Sequence, residues 1–134
     1  MATATTTDVT ANQRAQLLEE RLIAFAVRIV KVADALPKTY SGQHFAKQIV
    51  RSGSSPALNY GEARGSESDK DFRHKIAIAL KELRETHINL QIVGQSGLLP
   101  INDLAGVIDE NNQLISIFVA TVRSLDKKSG NQRS

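Results

Sequence analysis

Apolar residues return every three or four positions along most of the chain, and no period-two run is long enough to argue for a strand. Leu18, Leu22, Phe25, Ile29, Val32 and Leu36 make one continuous stripe. That stripe predicts a first helix from about Asn12 to Leu36, opened by a T-x-x-Q capping box at Thr10 and Gln13 and stopped by Pro37. A second helix is expected from Ser41, with Phe45, Ile49, Ser52, Pro56 and Asn59 or Tyr60 facing inward and Gly61 and Gly65 favouring its end. Pro56 lacks the N–H that would bond the Ser52 carbonyl, which predicts a kink near residues 52–56. A third helix begins at Ser66 or Ser68, where Ser68 and Asp71 resemble a capping box, and carries Phe72, Ile76, Ala79, Leu83, Leu90 and Val93 before Gly94 and Gly97. Asp69/Arg73 and Asp71/Lys75 stand at the i,i+4 spacing of intrahelical pairs. A fourth helix follows Pro100, starting near Asn102 or Asp103, with Leu104, Ile108, Asn111, Ile115, Phe118, Val122 and Leu125 in a strict four-three alternation. Short connections make neighbours antiparallel, so the expected fold is all-α, an up-down-up-down four-helix bundle.

Two of these helices carry a second apolar side. On a wheel at ~100° per residue, Ile23, Val27 and Val30 fall away from the main stripe of the first helix, and Ile78, Ile88 and Ile92 do the same on the third. A bundle helix in a monomer buries one side, and extra apolar surface marks an interface. The first and third helices are therefore expected to pack against neighbouring subunits.

The chain is 134 residues long, enough for one domain with a real core. Residues 1–11 read as a disordered start, 12–126 as the bundle and 127–134 as a basic flexible tail. Aromatics are 4% with no Trp, so the core is aliphatic, joined by Phe25, Phe45, Phe72 and Phe118. The absence of cysteine removes disulfides, thiol nucleophiles and cysteine-based zinc sites, and fits a reducing compartment. With neither a signal peptide pattern nor a bilayer-length apolar run, a cytoplasmic location off the membrane is expected. The net charge of +3 is uneven: residues 41–65 hold Lys47, Arg51 and Arg64 against Glu62, while residues 101–125 hold Asp103, Asp109 and Glu110 against Arg123. Basic and acidic sides permit a nucleic-acid partner and equally permit subunits that attract one another.

Candidate chemistry is sparse. Arg14, Arg21 and Arg28 recur every seven residues along one edge of the first helix with Lys31 nearby, the best phosphate-contacting stripe in the chain. Its bland alternative is a solvated face or rim salt bridges with Glu20 and the acids of the fourth helix. Asn59 and Ser52 point inward, either as a polar site or, the reading we favour, to satisfy groups freed by Pro56. Asn111, alone in the fourth seam, is read the same way and could meet Asn59 across the core. Arg51 and Glu62 lie 11 positions apart, about 16 Å along a helix, so each needs a partner elsewhere, in this chain or the next subunit. His44, His74 and His87 have no metal-ligand spacing, and no phosphate loop, dinucleotide fingerprint or nucleophile elbow is present. No metal, cofactor or catalytic residue is nominated, and an enzyme is not expected.

The segment from Arg51 to Phe72 resembles the bacterial four-helix-bundle family of proteins encoded in intervening sequences of large-subunit ribosomal RNA genes. The family pattern runs approximately R-S-A-x-S-I-x-A-N-I-x-E-G-x-G-R-x-S, then an acidic residue and Phe. Arg51, Ser52, Ser55, Asn59, Glu62, Gly65, Ser68, Asp71 and Phe72 stand in register with it. Gly53, Pro56, Leu58, Tyr60, Ala63 and Ser66 replace the family's Ala, Ile, Ala, Ile, Gly and Arg, and loss of the basic residue at Ser66 weakens transfer of a binding role to that turn. The resemblance implies a homo-oligomeric ring, a pentamer in related members, with no established enzymatic activity. A similar accessory protein of diversity-generating retroelements has a basic surface and binds nucleic acid. The leading expectation is thus a non-enzymatic scaffold that binds RNA or DNA through backbone charge. The alternative is a module that presents its ring to a separate protein.

Overall fold

The computed structural model describes residues 6–133, which form four helices: α1 (Thr6–Ala35), α2 (Tyr40–Arg64), α3 (Asp69–Gln95) and α4 (Ile101–Arg133). They make a four-helix bundle with no strand among the described residues. Residues 1–5 and 134, expected in the loose ends, lie outside the described residues.

Several helix ends differ from expectation. α1 starts at Thr6, so Thr10 and Gln13 lie inside it and residues 6–11 are helical rather than disordered. No Pro or Gly stands in that stretch to stop the helix, and a T-x-x-Q pattern alone does not mark a start. α2 is capped by Thr39, not Ser41: Thr39 is extended, and its Oγ1 accepts from the Gly42 N–H at 3.1 Å. Ser68 caps α3 as expected, accepting from the Asp71 N–H at 3.1 Å. α4 runs on to Arg133 instead of fraying at Lys127, anchored to α3 by Arg73–Asp126 and Lys128–Asp69. Gly97 adopts φ +77 between α3 and α4, a conformation that costs a Cβ-bearing residue about 1 kcal/mol or more.

α2 passes through Pro56 as one uninterrupted helix, and Pro56 itself is buried. The proline leaves one hydrogen bond unmade, and packing on both flanks holds the helix together across it. Leu22, Phe25 and Ile29 of α1, Ile49 and Tyr60 of α2, Ile76, Leu83, Leu90 and Val93 of α3, and Leu104, Leu114 and Phe118 of α4 form the core. Each such side chain contributes about 1.5–3 kcal/mol when fully buried. Phe45 and Phe72, expected inside, are only half-buried, whereas Val107 and Leu114 join the core from outside the predicted α4 stripe. Tyr60 meets Phe118 edge-on, ring centres 6.0 Å apart.

The helices meet residue by residue in a consistent order. Ile29 lies at Gly53 and Glu19 at Arg64; Thr86 lies at Ser52 and Lys75 at Glu62; Asn111 lies at Leu83 and Ile101 at Gly94; Glu110 lies at Arg21. α1 and α3 each pack on α2 and on α4 but not on each other, so they occupy diagonal corners.

Two of these meetings leave no room for a Cβ: at Gly94, against the flexible Cδ1 of Ile101, and at Gly53, against the branched carbons of Ile29. A Cβ at Gly53 would fall 2.7 Å from Ile29 Cγ2 and 2.8 Å from its Cγ1. G53A is therefore expected to destabilise the protein by about 1–3 kcal/mol through overpacking. Urea unfolding should show the loss, and because I29A removes both Cγ atoms that meet the new Cβ, the G53A/I29A pair should cost less than the two single variants added together.

Candidate functional site

The family-motif residues come together along α2 and the start of α3. Arg51 Nη1 donates to Glu82 Oε2 at 3.0 Å and Nη2 donates to Glu85 Oε1, which ties α2 to α3. One turn inward, Thr86 Oγ1 stands 2.8 Å from Ser52 Oγ and 2.9 Å from the Glu82 carbonyl, in a layer closed to solvent. Thr86 can donate to that carbonyl while Ser52 donates to Thr86, so both hydroxyls are satisfied. Asn59 Nδ2 donates to Ser55 O at 3.0 Å and to Ser55 Oγ at 2.9 Å. Glu62 accepts from Lys75 Nζ at 2.6 Å. Gly65 ends α2 without a left-handed φ, Ser68 caps α3, and Phe72 packs half-buried against the core.

Arg51 and Glu62 thus find their partners within the chain. Asn59 and Asn111 do not meet: Asn111 is fully buried, and its Nδ2 donates to the Leu83 carbonyl at 3.0 Å. Asn111 Oδ1, His87 Nδ1 and Asn89 Nδ2 are the buried side-chain atoms left without a hydrogen bond among the described residues. The i,i+4 pairs expected on α3 are replaced by longer reaches. Arg73 grips Asp126 through two bonds of 2.7 and 3.1 Å, Asp69 takes Lys128, and Lys75 takes Glu62. Partners on the next helix are in reach of these side chains, which a one-helix reading does not register.

The α1 stripe divides. Arg21 is held by Glu110 through two bonds of 2.8 Å and by Gln113 at 2.8 Å, the rim salt bridge that was the alternative reading. Arg28 lies over Gly106, its Nη2 2.9 Å from where a Cβ would stand, and its charge helps keep Glu110 ionised. Arg14, Arg28 and Lys31 are exposed and make no ion pair among the described residues. Outside this stripe, Lys70, Lys81, Arg84, Arg123 and Lys127 are also exposed and unpaired among those residues. Among the described residues no group of three or more His, Asp or Glu gathers to hold a metal, and no helix is long and apolar enough to cross a membrane.

The second apolar sides are open. Ile23, Val27 and Val30 are 51, 49 and 42% exposed, and Ile88 and Ile92 are 57 and 42%. Ile78 is half-buried. The two strips lie on diagonal corners of the bundle.

The hydrogen bonds from Arg21 hold the Glu110 carboxyl below the usual carboxylate range, against the opposing effect of its partial burial. A depressed value means that the pair stabilises the fold above the ordinary glutamate value of roughly 4.3. The contribution disappears as pH falls through the folded value. E110Q should therefore cost up to about 1 kcal/mol at neutral pH and progressively less in acid, as read by urea unfolding at several pH values.

A family model described as "23S rRNA-intervening sequence protein" matches residues 18–120. A crystal structure from Bacteroides thetaiotaomicron, of a protein with unknown function from the S23 ribosomal protein family, superposes with a TM-score of 0.73 at 28% identity. The match covers 78% of this chain and 96% of that one. No curated protein matches the chain. With the match reaching from the middle of α1 into the second half of α4, this chain belongs to the 23S rRNA intervening-sequence protein family.

Proposed function

We propose that this protein is a non-enzymatic cytoplasmic scaffold, an antiparallel up-down-up-down bundle that assembles into a homo-oligomeric ring and holds nucleic acid by backbone charge. The antiparallel arrangement is supported by the order of contacts. As numbers rise along one helix they fall along its neighbour, from Glu19 and Ile29 against Arg64 and Gly53, and from Ser52 and Glu62 against Thr86 and Lys75.

The single observation that carries the assembly is the pair of open apolar strips, Ile23, Val27 and Val30 on α1 and Ile88 and Ile92 on α3, at diagonal corners. Two different strips facing away from each other suit a head-to-tail contact, α1 of one copy on α3 of the next. Such a contact generates a ring when the rotation between copies closes on itself. The pentameric number comes from the resemblance to related rings. Ile78 sits on the same helix and would border the contact.

Nucleic-acid binding is supported by the net charge of +3 and by exposed cations that make no ion pair among the described residues, Arg14, Arg28 and Lys31 being three of them. No aromatic interleaves with them, which favours phosphate contacts over base stacking.

Light scattering after size exclusion tests the assembly. I23D/V27D and I88D/I92D should each reduce the wild-type ring to monomers, and an equimolar mixture of the two variants should give a dimer and nothing larger. A wild-type monomer at micromolar concentration would sink the ring. Fluorescence anisotropy of a labelled structured RNA and a DNA duplex tests the ligand. Micromolar or tighter binding should collapse between about 50 and about 300 mM salt. No binding to either at low salt would leave the ring as a module for a protein partner.

A further inference from the structure

We propose that the phosphate backbone lies across the outer face of the first two-thirds of α3 and the adjoining C-terminal part of α4, not along α1. This rests on the nucleic-acid reading above. Lys70 and Lys81 fall within ~20° of each other on α3 and Arg84 within a further ~60°, spread over ~21 Å of helix, a span that follows several phosphates. All three are exposed.

α4 extends the same surface. Arg123 and Lys127 stand one turn apart on its exposed side. Their height beside α3 is set by two contacts, Arg73 on Asp126 at 2.7 Å and Lys128 on Asp69 at 3.0 Å. The local acids Asp69 and Asp126 are both engaged by those cations. Asp71 and Glu67 remain exposed at the edge, beside the α2–α3 turn.

The contrast with α1 decides the location. There Arg21 is locked to Glu110, Arg28 faces the same carboxylate, and Glu20 and Asp34 lie exposed on the helix among the remaining cations. A polyanion approaching α1 meets a mixed surface, whereas at the α3–α4 end it meets cations whose neighbouring acids are mostly engaged. Uncompensated like charges repel one another, and a phosphate chain relieves that repulsion while releasing its counterions. The protein pairs Arg21, Arg51, Arg64, Arg73, Lys75 and Lys128 internally. Among the described residues Lys70, Lys81, Arg84, Arg123 and Lys127 are left unpaired along α3 and the end of α4, whereas Lys38 and Lys47, also exposed and unpaired, lie apart from them, just before α2 and in its first half.

Matched triple variants of the full chain, K70Q/K81Q/R84Q and R14Q/R28Q/K31Q, are titrated against a labelled DNA duplex and an RNA hairpin at several salt concentrations. The α3 triple should weaken binding at least ~10-fold and flatten the salt slope by roughly two to three, while the α1 triple loses less than about threefold. R123Q/K127Q should add a further loss to the α3 triple. Wild-type binding that the α3 triple leaves intact, or that the two triples weaken equally, overturns this placement and leaves the nucleic-acid reading standing. A wild type that binds neither probe at low salt overturns both. Polyglutamate that competes as well as the duplex shows a receptor for acidic protein and also overturns the assignment to phosphate. Because Lys81 and Arg123 are exposed, single reversals K81E and R123E provide the same test if a triple variant loses its helical circular dichroism.

Discussion

Ile29 of α1 lies against bare α2 backbone at Gly53, and one residue earlier Ser52 meets Thr86 of α3 inside the bundle. A single turn of α2 therefore faces both neighbours with almost no side chain. The closeness it permits brings α2 deep between α1 and α3, and the rest of the packing follows. Tyr60 reaches Phe118 on α4, and Leu22, Phe25 and Ile29 close over Ile49 and Ala63. Pro56 is tolerated in this turn because tertiary contacts, not helix propensity, supply most of the stability of the segment.

Polar groups set the register that the apolar core alone leaves loose. The Ser52–Thr86 pair is sealed from water, so a slip of α3 along α2 would bury hydroxyls without partners at about 1–3 kcal/mol each. Arg51 reinforces the same register from the surface through Glu82 and Glu85. Asn111 does so between α3 and α4 by holding a main-chain carbonyl of α3. Exposed ion pairs such as Arg73–Asp126 add little energy individually. They do settle which cations are paired and which stay unpaired at the surface.

The outer surface divides by character. α1 and α3 carry apolar strips on diagonal corners, and α3 from Lys70 to Arg84 with the end of α4 carries unpaired cations. On α3 the cations precede Ile88 and Ile92, so in the proposed assembly one helix would meet a polyanion along its first part and a neighbouring subunit along its last. A ring built on such contacts would repeat the cationic end around its circumference and multiply weak phosphate contacts through avidity.

Hydrophobic period determined four helices, their order and most of their buried faces, because a 3.6-residue repeat is local information. The Ser68 cap was legible for the same reason: its partner, the Asp71 N–H, lies three residues away. The motif from Arg51 to Phe72 was enough to name the family, yet the roles of its residues were not readable. Arg51, Ser52 and Glu62 are satisfied by Glu82, Thr86 and Lys75, and nothing in a helix-by-helix spacing says which distant residue will face them. The Arg14, Arg21, Arg28 and Lys31 stripe was equally sound as a pattern, but Arg21 belongs to Glu110, 89 residues later in the chain. Length of reach explains the ends as well: α4 persists beyond Lys127 because Asp126 and Lys128 find Arg73 and Asp69. The sequence by itself determined the four helices and most of the face that each turns inward. Only the tertiary structure decided which charges are paired inside the molecule and which stay unpaired at its surface, since Coulomb pairing acts through space and not along the chain.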